Sequence, residues 1–189
     1  ENFAGGSTNT AFGFKCMEGT EGSSTASNNT AYGAYALYKN TTGTTNTALG
    51  LSALEQNTTG GNNTAAGHAA LQKNTTASNN TAFGYQALEE NTTGTQNDAF
   101  GYTAMAANTT GNYNAAFGAL SAVSLNGGNR NTFCGNSAGS GLTTGSDNTF
   151  LGFKAGNNGG TGDNNVAVGK EALYSTTTGY GNICIGREA

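Results

Sequence analysis

A chain of 189 residues has the length of one ordinary domain. Its 31 glycines, lack of proline and tryptophan, and 10% charged residues set it apart from average globular usage. The net charge of −4 without a basic stripe argues against a nucleic-acid partner, and no apolar run reaches the about 20 residues needed to span a membrane.

The chain opens at Glu1 with neither methionine nor signal peptide, which reads as a mature product or an excised segment. A first phrase, an asparagine followed four places later by glycine, runs from Asn9 to Gly13, and the second starts twenty residues on, at Asn29. From there the asparagine returns every seventeen residues: Asn29, Asn46, Asn63, Asn80, Asn97, Asn114, Asn131, Asn148, Asn165 and Asn182. Disorder has no need of such phase; a fixed short period means a stack of coils. The expected fold is therefore all-β, a parallel β-solenoid or β-roll of about eleven 17-residue coils. It forms one array over residues 1–189, irregular in coil 1 (9–28) and regular from 29. The lack of proline fits, since proline cannot donate to a ladder.

The coil Asn80 to Gln96 serves as the pattern. Thr81-Ala82-Phe83 is a strand candidate closed by Gly84, and alternation sends small Ala82 and bulky Phe83 to opposite faces, both expected to be buried, one inside the coil and one against another chain. The Ala87-Leu88 pair has flanks of good helix propensity and predicts either one helical turn or a second short strand. Asn91-Thr92-Thr93-Gly94 is turn chemistry. In register, the phrase asparagines form a ladder whose amides can donate to the next coil. Cores of Ala and Gly bury little apolar area, so lateral association, and hence an oligomer, is expected.

Asn-Thr-Ala-Phe-Gly, followed by two residues and Ala-Leu, resembles two groups of extracellular repeats. One is the head repeat of trimeric autotransporter adhesins, with Asn165-Val166-Ala167-Val168-Gly169 as the local match. The other is the Asn-Thr-x-x-Gly-x-x-Ala-Leu repeat of phage and viral tail-fibre-like proteins. Both resemblances imply an extracellular location or a surface or virion appendage, attachment to surface glycans or a host receptor, and no catalysis.

Sixteen residues would separate Asn182 from Asn9 of a following copy, one short of the period, so head-to-tail stacking into a filament is an expectation. Cys16 and Cys184 would come close at that junction and are candidates for an inter-subunit disulfide. Cys134 lies three coils from Cys184, about 14 Å at the coil rise and too far for a bridge. The simpler reading makes all three small buried hydrophobes.

Asn28, Asn40, Asn57, Asn62, Asn74, Asn79, Asn91 and Asn108 are candidate N-glycosylation acceptors in Asn-x-Thr sequons. The sequon is equally a by-product of Asn/Thr-rich turns. His68 is the only histidine, Glu89-Glu90 and Glu18 with Glu21 read as solvated charges, and Gly159-Gly160-Thr161-Gly162 lacks the Lys-Ser/Thr of a phosphate loop. These residues predict no metal, cofactor or catalytic triad. The leading function is a structural or adhesive extracellular fibre segment, with copies of itself as partners. Ice binding through paired threonine columns (Thr41-Thr42 to Thr109-Thr110) is the alternative, and a polysaccharide-active β-helix the third.

Overall fold

The computed structural model describes residues 8–19, 25–158, 160–175 and 178–189. Eleven three-residue strands follow the phrase asparagines: β1 (Thr10–Phe12), β2 (Thr30–Tyr32), β3 (Thr47–Leu49), β4 (Thr64–Ala66), β5 (Thr81–Phe83), β6 (Asp98–Phe100), β7 (Ala115–Phe117), β8 (Thr132–Cys134), β9 (Thr149–Leu151), β10 (Val166–Val168) and β11 (Ile183–Ile185). They form one parallel sheet in chain order. Pairing is in register, as in Thr64↔Thr81, Ala65↔Ala82 and Ala66↔Phe83. The fold is a β-solenoid with about one coil per 17 residues, and a rise of about 4.8 Å per coil gives a rod roughly 50 Å long.

Strand alternation buries one face only. The central alanines, Ala48, Ala65, Ala82 and Ala99 among them, are sealed inside the coil. The residue after them faces solvent: Phe83 is 39% and Phe117 42% exposed. The small side is thus the one enclosed by the coil, and the bulky side is the one that the single chain leaves open.

The Ala-Leu segment is neither helix nor strand. Ala87 donates to Gly84 O (3.4 Å), Glu89 to Gln86 O (3.3 Å) and Asn91 to Leu88 O (3.1 Å), three overlapping four-residue turns. Gln86 and Leu88 carry φ of 53° and 52°, the left-handed value that type II turns demand at their third residue. Such a conformation costs about 1 kcal/mol or more for a residue with a Cβ. Hydrogen bonds between coils offset it: Gln86 N–H donates to His68 O of the preceding coil and Leu88 N–H to Ala104 O of the following one. Turning at every second residue curls the chain tightly enough to point Leu54, Leu71 and Leu88 inward, where they are fully buried.

Two coils fill this core with a phenylalanine. In β8 and β9 the central alanine becomes Phe133 or Phe150, both buried, and the inward leucine becomes Gly139 or Gly156. A Cβ on Gly139 would strike the Phe133 ring, and one on Gly156 the Phe150 ring. The large and small positions have exchanged across the coil. Phe133→Ala should therefore destabilise by about 3 kcal/mol through its cavity. Gly139→Leu alone should also destabilise, by overpacking. The double variant should recover most of the loss. Urea unfolding of the four proteins in this cycle checks the coupling, and additive losses would contradict the exchange.

Candidate functional site

Three polar columns run through the coils. In the first, each phrase asparagine holds its own coil and the next. Asn80 Nδ2 donates to Gly94 O (2.9 Å), closing its coil, while Asn80 Oδ1 accepts from Asn97 N–H (3.0 Å) of the coil above. The same acceptor bond repeats from Asn9 through Asn165, the last receiving Asn182 N–H at 3.0 Å. At Asn29, and again from Asn97 onward, the amide nitrogen also donates to the preceding side-chain oxygen, as in Asn131 Nδ2 to Asn114 Oδ1 at 3.0 Å. The inter-coil link thus runs mainly through side-chain oxygen and backbone N–H.

The second column consists of the turn asparagines. Asn57, Asn74 and Asn91 each donate Nδ2 to the preceding turn asparagine's Oδ1, at 2.9, 2.8 and 3.0 Å. Each also donates to a carbonyl three residues on, as Asn91 does to Gly94 O at 2.9 Å. Asn40, Asn57, Asn74, Asn91 and Asn108 are 0–3% exposed. A glycan needs a free amide in solvent, so these five are corrected: they are core ladder residues and cannot carry sugar in the folded rod. Asn28, Asn62 and Asn79 are exposed, just before the phrase asparagine. Past Asn108 the column becomes buried Leu125 and Leu142, so packing replaces the amides.

A third column went unread in the sequence. Thr95 and Asn112 N–H donate to Asn112 and Asn129 Oδ1 (2.8 and 2.9 Å), Asn129 N–H to Ser146 Oγ (3.0 Å) and Ser146 N–H to Asp163 Oδ1 (2.7 Å). The signal was available as a run of Ser, Thr, Asn and Asp at one phase. Together the columns leave Thr103 Oγ1 as the sole buried side-chain polar atom without a partner among the described residues.

The turn threonines divide. Thr58, Thr75 and Thr92 donate their hydroxyls to the same residue's carbonyl one coil on, at 2.9, 3.1 and 3.0 Å, whereas Thr59, Thr76 and Thr93 face solvent. Charges sit outside, and two of the ion pairs cross between coils. Arg130 Nε and Nη2 donate to both carboxylate oxygens of Asp147 (2.6 and 2.8 Å), holding that carboxyl below its usual range, and Lys73 donates to Glu90 (2.6 Å). The Arg130–Asp147 link favours the fold above the unfolded carboxylate pKa and fades as pH falls through the lowered folded value. Exposure keeps both contributions small.

No family model, curated protein or solved structure matches the chain. No group of three or more His, Cys, Asp and Glu among the described residues is placed to hold a metal, and no helix there is long and apolar enough to cross a membrane. His68 is exposed and stacks on Tyr85, with ring centroids 5.2 Å apart. No disulfide joins the cysteines. Cys16 is buried with Sγ 3.5 Å from Ala31 O in the following coil, Cys184 is half-buried, and Cys134 is exposed in the bulky strand position. Cys16 and Cys184 both lie at inward positions, in the first and last coils of the rod.

The remaining surface feature is the sheet's outer face. One column descends from Phe12 through Tyr32, Leu49, Phe83, Phe100, Phe117 and Leu151 to Ile185. A second, two residues further on, holds Phe14, Leu51, Tyr85, Tyr102 and Phe153, interrupted by His68, Asn136, Lys170 and Arg187. Phe83, Phe100 and Phe117 stack at 5.2 and 5.1 Å with interplanar angles of 6° and 11°, and Tyr85 on Tyr102 at 5.4 Å and 9°. Each ring covers its neighbour's face, so the columns present ring edges outward.

Proposed function

We propose that this chain is a structural or adhesive segment of an extracellular or surface-displayed fibre, working by reach, stiffness and a repeated contact surface rather than by catalysis. The observation that carries the reading is the combination of an interior sealed by hydrogen-bonded columns with an apolar strip along the sheet face. Soluble monomers seldom expose apolar patches beyond a few hundred Å². The resemblance to adhesin-head and tail-fibre-like repeats supports the same use.

Ice binding ranks second. It would rest on the exposed column Thr59, Thr76 and Thr93, since the adjoining threonines spend their hydroxyls within the rod. One column offers a line of hydroxyls where an ice lattice presents a plane. Polysaccharide cleavage would need a cluster of carboxylates facing one groove, and the charges here are scattered in pairs.

Electron microscopy of the native material tests the fibre reading. Antibody against the chain should decorate elongated assemblies outside the cell or particle. Label confined to the interior, on dispersed short rods, would overturn it.

A further inference from the structure

We infer that the aromatic strip of the sheet's outer face is a self-association surface, and that its occupant is the same face of a second copy of this chain. The inference rests on the fibre reading and deepens it by naming the partner. Three observations select a second copy over other occupants.

The first is size. The two apolar columns stand about 7 Å apart on a rod roughly 50 Å long, which makes a strip on the order of 600 Å². With the bordering first strand position, mostly threonine, it reaches about 900 Å². A stable protein–protein interface takes about 800 Å² from each partner.

The second is the direction of the rings. Sugars stack on exposed aromatic faces, and here those faces are spent on neighbouring rings at 5.1 to 5.4 Å. What remains is a row of ring edges repeating at nearly the inter-strand spacing. A surface that repeats at the same interval can place side chains in register along the whole strip, and another copy of this rod supplies that interval by construction.

The third is charge. The bulky strand column carries no charged residue from Phe12 to Ile185, the neighbouring column carries only Lys170 and Arg187 near one end, and the bordering first strand position carries only Asp98. A polyanion, a polycation or an anionic membrane surface therefore finds little to recognise. A dry contact between two such faces would leave no charge unpaired over most of its length.

Cys134 reports on this face, because it is exposed in the bulky column between Phe117 and Leu151. The purified full chain should sediment as a dimer or larger species. The Phe83→Ser, Tyr102→Ser, Phe117→Ser triple variant should sediment as a monomer with unchanged circular dichroism, since all three side chains lie outside the core. Leu49→Lys gives a second, milder disruption if the triple variant fails to fold. Cys134 in the wild type should react with maleimide at least tenfold more slowly than in a monomeric variant, as read from the labelled peptide by mass. A wild-type chain that stays monomeric at every concentration would overturn the inference. So would equal labelling rates, a folded variant that keeps the wild-type mass, or a monomer that pellets with phosphatidylcholine vesicles or chitin. If the chain is monomeric while native fibres are seen, this inference fails and the fibre reading stands. A dimer in solution without native fibres has the opposite meaning.

Discussion

Gly101→Ala is expected to unfold the middle of the rod. Gly101 holds φ of +146°, and a Cβ there would lie 2.5 Å from Gly118 O, 2.6 Å from its carbon and 2.9 Å from Ala119 N. All three atoms are backbone, so no side chain can swing aside. Relief requires coils six and seven to part by about an ångström, which breaks the bonds Gly118 N–H to Phe100 O and Leu120 N–H to Tyr102 O, each 2.8 Å. The loss should exceed about 4 kcal/mol, the range reserved for substitutions that defeat local relaxation. A solenoid is held by nearest-neighbour contacts, so the defect should divide the array into two separately melting parts. Gly181→Ala is the contrast. Its φ is +68° and nothing lies within 4 Å of the added carbon, so about 1 kcal/mol of backbone strain is expected. Thermal unfolding followed by circular dichroism compares the two, and similar losses would contradict the stacking argument.

Asn80→Asp should destabilise by about 3–5 kcal/mol at neutral pH, with the deficit shrinking in acid. The substitution keeps the oxygen that accepts from Asn97 N–H, 3.0 Å away. It replaces the donor to Gly94 O, 2.9 Å away, with a second oxygen, so two acceptors face each other at a residue only 1% exposed. Burial and the facing carbonyl disfavour the ionised form, so the folded pKa rises above the unfolded value of about 3.9. The sign follows from linkage: the destabilisation is absent below the unfolded pKa, where a neutral acid donates to Gly94 O, and grows as pH rises towards the folded pKa. Urea midpoints of variant and wild type between pH 3 and 7 check this. A pH-independent gap would contradict the donor role of the amide.

The period was legible because every coil meets the same constraints. Strand positions follow from the asparagine phase alone, since Ala must fit inside a one-layer coil and Gly must let carbonyls of successive coils approach. The turns were harder. Asn-Thr-Thr-Gly reads as an exposed turn because those residue types usually face water. Asn91 and Asn80 instead both donate to Gly94 O, which draws the turn inward. The clue was that Asn40 to Asn108 keep strict phase, which an unconstrained surface site has no reason to do. The Ala-Leu segment misled through helix propensity, a local preference that the inter-coil bonds of Gln86 and Leu88 override. The Phe133–Gly139 and Phe150–Gly156 exchanges were visible as paired departures six residues apart, and their meaning needed the knowledge that these positions face each other across the coil. Which side of the strand stays open was not legible, because alternation separates two faces without saying which one the coil encloses.

The most direct test of the central claim, that stacked coils are both the fold and the working unit of a fibre, is electron diffraction from aligned native assemblies decorated by antibody to the chain. A reflection near 4.8 Å along the long axis is expected, because strands run across each rod and successive coils rise by the inter-strand spacing. Assemblies in which that reflection lies across the long axis, or native material without elongated assemblies, would contradict the account.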